Sequence, residues 1–523
     1  MAPSRTESLT PGQLTALYAA LTLIMLAPVL TVRVPCLGDT LNHLARIHIL
    51  TTIGQAPWLQ RLYEPGWKLV PYLGMDVPVA ALARFMPIYD AGRVFTAVCV
   101  IVPAISAAVL QWAVSRRIGA APCIAFLLCY NYQLERGFLP YLFATLCALL
   151  LFAAWIATAR HAGWRRSALF SLPFVLVFLA HPFAGVAYCL LVAGYELGAA
   201  PRTGWQPLRP VVMRWAAAAA QILPALSVAM LLATRRHEVT PSHFHFATAA
   251  GQFGALLSPF FFAGNPATLP IIIFCAGGAY LFRRRIRLSP ALWPAAALVA
   301  LVACFTPSVL FDVAWGTNFR LPLVAAVTLI GSVGLATPIG LWPRRAVLAC
   351  IIGLALTTSW NARASLAALD QQVTTMRTLA SVLPRGARLL VLDMPTACGT
   401  RRVAPREMTG HLSFVAAIDR DAFIPFLFTG STPLTVRPAL DNSSSLIAEA
   451  ISEKQLADGL AHADPPGGPP PYGWGGHIYW LGWQQKFDFL LVQHFGCPGF
   501  RPPPVLTLVA RSAIADLYKI NPQ

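Results

Sequence analysis

Charge is scarce in this chain. Only 11% of its 523 residues are Asp, Glu, Lys or Arg, 57% are hydrophobic, and the mean hydropathy is +0.61. Soluble domains carry about 25% charged residues and disordered chains are more polar still, so both classes are excluded. Familiar catalytic signatures are missing as well. No Walker A, G-x-G-x-x-G, G-x-S-x-G or H-E-x-x-H pattern occurs, which removes the usual parts of nucleotide hydrolysis, dinucleotide binding, serine-hydrolase and zinc-protease chemistry. There is no fixed-period repeat. The eleven cysteines form no C-x-x-C pair, and most (Cys99, Cys123, Cys147, Cys189, Cys275, Cys304, Cys350) sit in apolar runs, where cysteine acts as a small hydrophobe.

What the chain does have is apolar length. A helix needs about 20 apolar residues to cross a bilayer, and eleven runs approach this, near 14–33, 92–113, 119–134, 138–159, 167–180, 182–198, 212–233, 267–282, 290–310, 319–342 and 346–360. The first reads as a retained helix and not a signal peptide, since only Arg5 precedes it and no small-x-small site follows. The net charge of +18 belongs to this membrane part: Met1 to Asn361 holds 25 Lys+Arg against 9 Asp+Glu, the remainder 14 against 12. The cations fall in every second loop (Arg116-Arg117, Arg165-Arg166, Arg283 to Arg287, Arg344-Arg345), a topology signal and not a nucleic-acid footprint. Most acids fall in the other loops, among them Asp39, Glu64, Asp76, Asp90 and Glu135. With the N-terminus inside, an odd number of spans puts the C-terminus outside.

The expected architecture is a polytopic α-helical membrane protein with about 11 transmembrane helices over residues 1–360, including a large outer loop at 34–92, followed by an extracytoplasmic soluble α/β domain over 361–523. In the outer loop, Trp58, Tyr63, Trp67 and Tyr72 and the apolar 77–88 stretch suggest short helices lying in the membrane interface. In the tail, periodicity predicts helices over 370–383 and 445–462, strands over 387–393 and 487–492, and a Pro/Gly-rich loop over 464–476. Trp474, Tyr479, Trp480 and Trp483 could stack on sugar rings or pack the tail against the membrane.

Directly after the first apolar run stands Gly38-Asp39-Thr40-Leu41-Asn42-His43-Leu44-Ala45-Arg46. Asp39, His43 and Arg46 are spaced i, i+4 and i+7, so they share one helix face. Asp39 either caps the helix that begins at Thr40 or serves as a general base. A guanidinium at Arg46 suits a phosphate. His237, His243 and His245 suggest a metal only weakly, because the His243-x-His245 pair has no third clustered ligand, and the stretch reads as an interfacial loop.

The outward acid after the first span, the helical outer loop, the number of spans and the C-terminal domain together resemble the GT-C superfamily of integral membrane glycosyltransferases. That resemblance implies a polyprenyl-phosphate-linked sugar as donor, membrane lipid as partner and an unidentified acceptor, which is a lipid, a glycan or a protein. By the same match Asp39 takes the family's catalytic acidic position, and His43 positions it or touches phosphate. Arg46 and Arg320 neutralise the departing phosphate. Thr40 stands where the second acid of a D-D or D-E dyad would, so a divalent metal is not called for. Glu135 and Arg136, in the outer connection 130–137, are either a local ion pair or, as the family would place them, part of the same cavity. His181, before Pro182 at a helix end, is either a hydrogen-bonded structural residue or part of that cavity. A transporter or flippase of lipid-linked saccharides is the rival reading; it calls for mid-membrane charges and repeat symmetry. A noncatalytic cell-envelope assembly protein is a further one. Cys398 and Cys497 follow the two tail strands, and in adjacent parallel strands they would meet at one sheet edge as a disulfide.

Overall fold

The structure is a computed structural model describing residues 9–67, 70–159, 163–198, 208–233, 243–311, 314–335, 340–394, 406–429, 432–445, 449–463, 471–472, 476–497 and 499–521. Helix α1 (Pro11–Leu30) starts where Thr10 and Gln13 form a capping box ahead of Pro11, a strong start signal. There follow α2 (Thr40–Thr52), α3 (Leu73–Leu82), α4 (Ile88–Val100) and α5 (Val102–Ser115), then α6 (Leu139–Ala157), α7 (Trp164–Ala180) and α8 (Pro182–Gly198). The remaining long helices are α9 (Leu208–Ala220), α10 (Leu223–Ala233), α11 (Thr268–Leu281), α12 (Trp293–Phe305), α13 (Arg320–Ser332) and α14 (Leu341–Ala380). Leu23, Leu172, Ile273 and Leu301 are all more than half exposed on the outer faces of these helices. Such faces are stable against lipid tails, and the protein is a polytopic helical membrane protein.

The eleven expected runs do not all become uninterrupted helices of membrane length. Among the described residues, α1, α6 and α14 qualify alone, and the pairs α4/α5 and α9/α10, bent by 44° and 45°, each qualify as one broken span. The run at 119–134 is not an α-helix at all: it is a 3-10 segment, Ala121–Leu128, followed by a single turn at Tyr132–Glu135. It still runs lengthwise beside α1. Gly119 O accepts from Tyr18 at 3.0 Å, and Tyr130 donates to Met25 O at 2.9 Å, seven residues further along α1. Its side chains are buried almost throughout. Irregular backbone is tolerated at membrane depth when protein surrounds it.

The separate segments expected at 346–360 and 370–383 are one helix. α14 has 40 residues, about 60 Å of rise against about 30 Å of hydrocarbon. It continues from apolar into polar sequence without a break, so the division at 360/361 falls inside a helix. Asp370, on its projecting half, accepts from the backbone N–H groups of Arg33 at 3.1 Å and Val34 at 2.9 Å. That fixes the chain between α1 and α2.

Beyond α14 lies a four-stranded sheet of β1 (Leu389–Asp393), β2 (Phe489–Gln493), β3 (Leu506–Arg511) and β4 (Ala515–Ile520), in the order β3-β4-β2-β1. β1 and β2 are parallel, with Leu389 opposite Phe489 and Asp393 opposite Gln493; the other pairs are antiparallel. β1 reads Leu-Leu-Val-Leu and is buried, as suits a strand covered on both faces. Parallel bridges from Phe423 and Ile451 cover its outer edge. The expected helix at 445–462 is shorter, Glu453–Ala461, started by a Ser452/Gln455 capping box.

The outer loop packs partly inward, while Trp67, Val77 and Phe85 stay at least half exposed. Tyr63–Pro65 pairs antiparallel with Leu434–Val436 of the tail, and Tyr63 is fully buried. Trp58 donates to Asp421 at 2.7 Å. The tail aromatics also pack: Tyr479, Trp480 and Trp483 are buried, and Trp483 donates to Leu456 O at 2.9 Å, while Trp474 lies outside the described residues.

Candidate active site

Asp39 stands at the N-cap position of α2, yet its side chain makes no capping bond. The carboxylate is therefore not used to start the helix. Its backbone is pinned instead: Asp39 N–H donates to Arg136 O at 3.0 Å and Gly38 N–H to Glu135 O at 2.9 Å. Gly137, at φ 74°, lies flush against this contact, where a Cβ would stand 2.4 Å from Asp39 N. The 130–137 connection is thereby laid on the start of α2, and Arg136 comes beside Asp39. Glu135 is buried and accepts from Ala263 N–H at 2.7 Å.

A residue with no distinguishing sequence signal completes the surroundings. His411 Nδ1 lies 3.1 Å from Gly38 O and 3.4 Å from Asp39 Oδ1. One N–H serves both oxygens, which leaves the imidazole fixed across the mouth of α2. The Asp39 side chain keeps 26% of its exposure. Burial pushes its pKa above the usual carboxylate value, against the pull of His411, Arg136, Arg320 and Arg46. Burial likewise pushes His43 and His411 down, so both imidazoles are held neutral.

The tail reaches this site through Phe423, which is hydrogen-bonded to the start of β1. Three residues on, Asn42 of α2 clamps the chain: its Nδ2 donates to Phe426 O at 3.1 Å and its Oδ1 accepts from Phe428 N–H at 2.8 Å. The Phe428 ring then stands 5.2 Å from His43 and 5.6 Å from His411. Asp421 adds a second clamp, taking bonds from His48 at 2.9 Å and Arg385 at 2.5 Å besides Trp58.

Arg46 differs from the expectation. Its guanidinium is 2.6 Å from Asp76 Oδ1, with side chains 2% and 1% exposed, and it touches His43 Nδ1 at 3.0 Å. A neutralised, enclosed arginine is poorly placed to take a phosphate; it orients His43. Asp76, on α3, was legible only as one more outward acid.

Arg320 and His181 do come together, at 3.2 Å, with Arg320 also donating to Trp315 O at 3.1 Å. The rings of Phe138 and Phe183 flank the guanidinium at 5.1 and 4.8 Å. His181 Nδ1 faces the Phe183 N–H at 3.2 Å while Nε2 faces Arg320. A neutral imidazole has one acceptor nitrogen, so one of these donors needs another acceptor, which an incoming oxyanion can supply. The fields of Asp39 and Arg320 reach one another. Thus Asp39, Arg136, His181, Arg320 and His411 belong to one neighbourhood, with His43 and Arg46 behind it.

Among the described residues no three His, Cys, Asp or Glu side chains gather as a metal set. His243 is exposed, the backbone of His245 pairs with Val309, and His237 lies outside the described residues. Cys497 is disulfide-bonded, and Cys398 lies outside the described residues.

No family model matches the chain, and no curated protein matches it. Solved structures do. The crystal structure of ArnT from Cupriavidus metallidurans bound to undecaprenyl phosphate aligns with a TM-score of 0.51 at 11% identity, over 98% of this chain and 98% of that one. Its apo state aligns with a TM-score of 0.49 at 10% identity, over 97% and 98%. Identity this low speaks for architecture and not for chemistry. The full-length likeness to the lipid-bound structure agrees with the layout of the sequence: this chain has the fold of ArnT.

Proposed function

We propose that the protein is a membrane glycosyltransferase that moves a sugar from a polyprenyl-phosphate donor to an acceptor on the extracytoplasmic side of a bacterial inner membrane. The observation that carries this reading is the Asp39 carboxylate, unused as a helix cap and set among Arg136, Arg320 and His411. Asp39 takes the proton of the acceptor's nucleophile. The nucleophile forms a bond to the anomeric carbon as the bond from that carbon to the phosphate oxygen breaks. The polyprenyl phosphate leaves with the electron pair, its new charge met by Arg320 and Arg136. Such stabilisation is commonly worth about 3–4 kcal/mol per well-aimed donor. His411 holds the Asp39 carboxylate in place, and His43, oriented by Arg46 and Asp76, lines the same face. His181 holds Arg320 until the phosphate arrives.

The undecaprenyl phosphate in the ArnT crystal structure supports a lipid phosphate as the ligand here. In this reading the N-terminus is cytoplasmic, and the segment beyond α14 stands outside the membrane over the active site. The test is release of undecaprenyl phosphate from a panel of undecaprenyl-phosphate-linked sugars by purified protein, with and without Asp39. Turnover that requires Asp39 supports the reading; no turnover of any panel member together with no binding of undecaprenyl phosphate overturns it.

A further inference from the structure

A cavity of about 550 Å³ opens between α6, α7, α8 and α9, far from Asp39. It is lined by Trp155 near the C-terminal end of α6, whereas Tyr141 near the N-terminal end donates to Arg320 O at 2.7 Å. Fourteen helical residues separate the two tyrosine and tryptophan positions, about 21 Å of rise against about 30 Å of hydrocarbon. The cavity therefore lies toward the opposite membrane face from Asp39.

Its polar wall is a charge cluster built from three helices. Glu196, 2% exposed, accepts from Trp155 Nε1 at 3.0 Å, is bonded by Arg214 Nε and lies 3.9 Å from Arg166. Arg166, 6% exposed, stacks its guanidinium 3.4 Å over the Trp155 ring and donates to Trp155 O. Two guanidiniums share the Glu196 carboxylate. The Nε donor of Arg166 is buried with no partner. A buried cation with a spare donor is costly unless an anion completes it. Apart from Ser167, the rest of the wall is apolar or aromatic, including Tyr195 and Met213. From its rim, the exposed Leu169 and Leu172 continue along α7, a surface that acyl chains cover.

We propose that this cavity is a headgroup site for an anionic phospholipid, whose phosphate completes the Arg166–Glu196–Arg214 cluster while its chains lie along α7. It is a lipid site separate from the proposed transfer site and does not depend on that activity.

The test uses delipidated full-length protein in detergent, with native mass spectrometry as readout. The probes are phosphatidylglycerol, phosphatidylcholine with the same chains, and inorganic phosphate. Phosphatidylglycerol should be retained about tenfold more tightly than phosphatidylcholine, the difference expected of one charge-assisted bond. Arg214→Gln should remove that preference. Met213→Trp, which fills the cavity and leaves every charge in place, should lower phosphatidylglycerol retention without changing the melting temperature of the lipid-free protein. Undecaprenyl phosphate binding should be unchanged in both variants. Equal retention of the two phospholipids, full retention by Met213→Trp, or displacement of phosphatidylglycerol by millimolar inorganic phosphate would each overturn the proposal.

Discussion

Gly137→Ala probes how Asp39 is held. A Cβ at Gly137 would stand 2.4 Å from Asp39 N, 3.0 Å from Thr40 N and 3.1 Å from Asp39 Cα, where ordinary contact begins at 3.4 Å. All three are backbone atoms, so no side chain can swing away, and the start of α2 must retreat by about 1 Å to restore contact distance. The two bonds that join this segment to Glu135 and Arg136, at 2.9 and 3.0 Å, lie in the path of that retreat. A left-handed alanine costs about 1–2 kcal/mol and overpacking about 1–3 kcal/mol, together about 2–5 kcal/mol. An active-site shift of about 1 Å can also cost about a hundredfold in rate. The assay is thermal unfolding in detergent together with release of undecaprenyl phosphate from the accepted donor. Gly254→Ala is the control, because nothing lies within 4 Å of its Cβ and its φ is helical. The reasoning fails if Gly137→Ala matches the wild type in both stability and turnover.

Four further outcomes are open to measurement. Asp76→Asn leaves the Arg46 charge buried without its counter-ion, and should destabilise the protein by about 3–5 kcal/mol in thermal or denaturant unfolding; unchanged stability would contradict the buried pair. Turnover should rise with pH as Asp39 loses its proton, with the acid limb above the ordinary aspartate value of about 3.9 because burial raises it. His411→Leu should move that limb higher still, since it removes the N–H that faces the carboxylate, and a limb that stays in place would refute the pairing. Peptide mapping without reductant should recover Cys497 joined to Cys398; an alkylated Cys398 in intact protein would exclude that bridge, which in the chain-entropy model closes a loop of about 100 residues for up to about 4.7 kcal/mol.

The long apolar helices were legible because hydropathy reports burial over the length of a membrane, and α1, α6 and α8 fall within three residues of their expected bounds. The same signal cannot tell α from 3-10 backbone, which is why 119–134 was misread as a helix. Composition changes near residue 361 while helix-forming residues such as Ala362, Leu366 and Leu369 continue, so a compositional border was mistaken for a structural one. At the site, Asp39 stands at the N-cap of α2 and His43 and Arg46 lie within it, as the i, i+4 and i+7 spacing has them. Spacing does not say what stands opposite, and Asp76 draws Arg46 inward. His411 was not legible at all. It is 373 residues from its partner Gly38, and only the docking of the tail through Asn42, Asp421 and the Tyr63–Pro65 ribbon brings it there. Tyr63 of the outer loop and Tyr479, Trp480 and Trp483 of the tail are buried in internal packing, whereas Trp67 stays exposed, and aromatic content alone does not separate the two.

The central claim is that Asp39 is the base of a sugar transfer. Its most direct test is donor turnover by Asp39→Asn, a change of nearly constant volume, measured beside undecaprenyl phosphate binding and melting temperature. Turnover should fall by well over about tenfold, a barrier rise above about 1.4 kcal/mol, with lipid binding and stability close to wild type. A variant that keeps more than about a tenth of wild-type turnover would contradict the account.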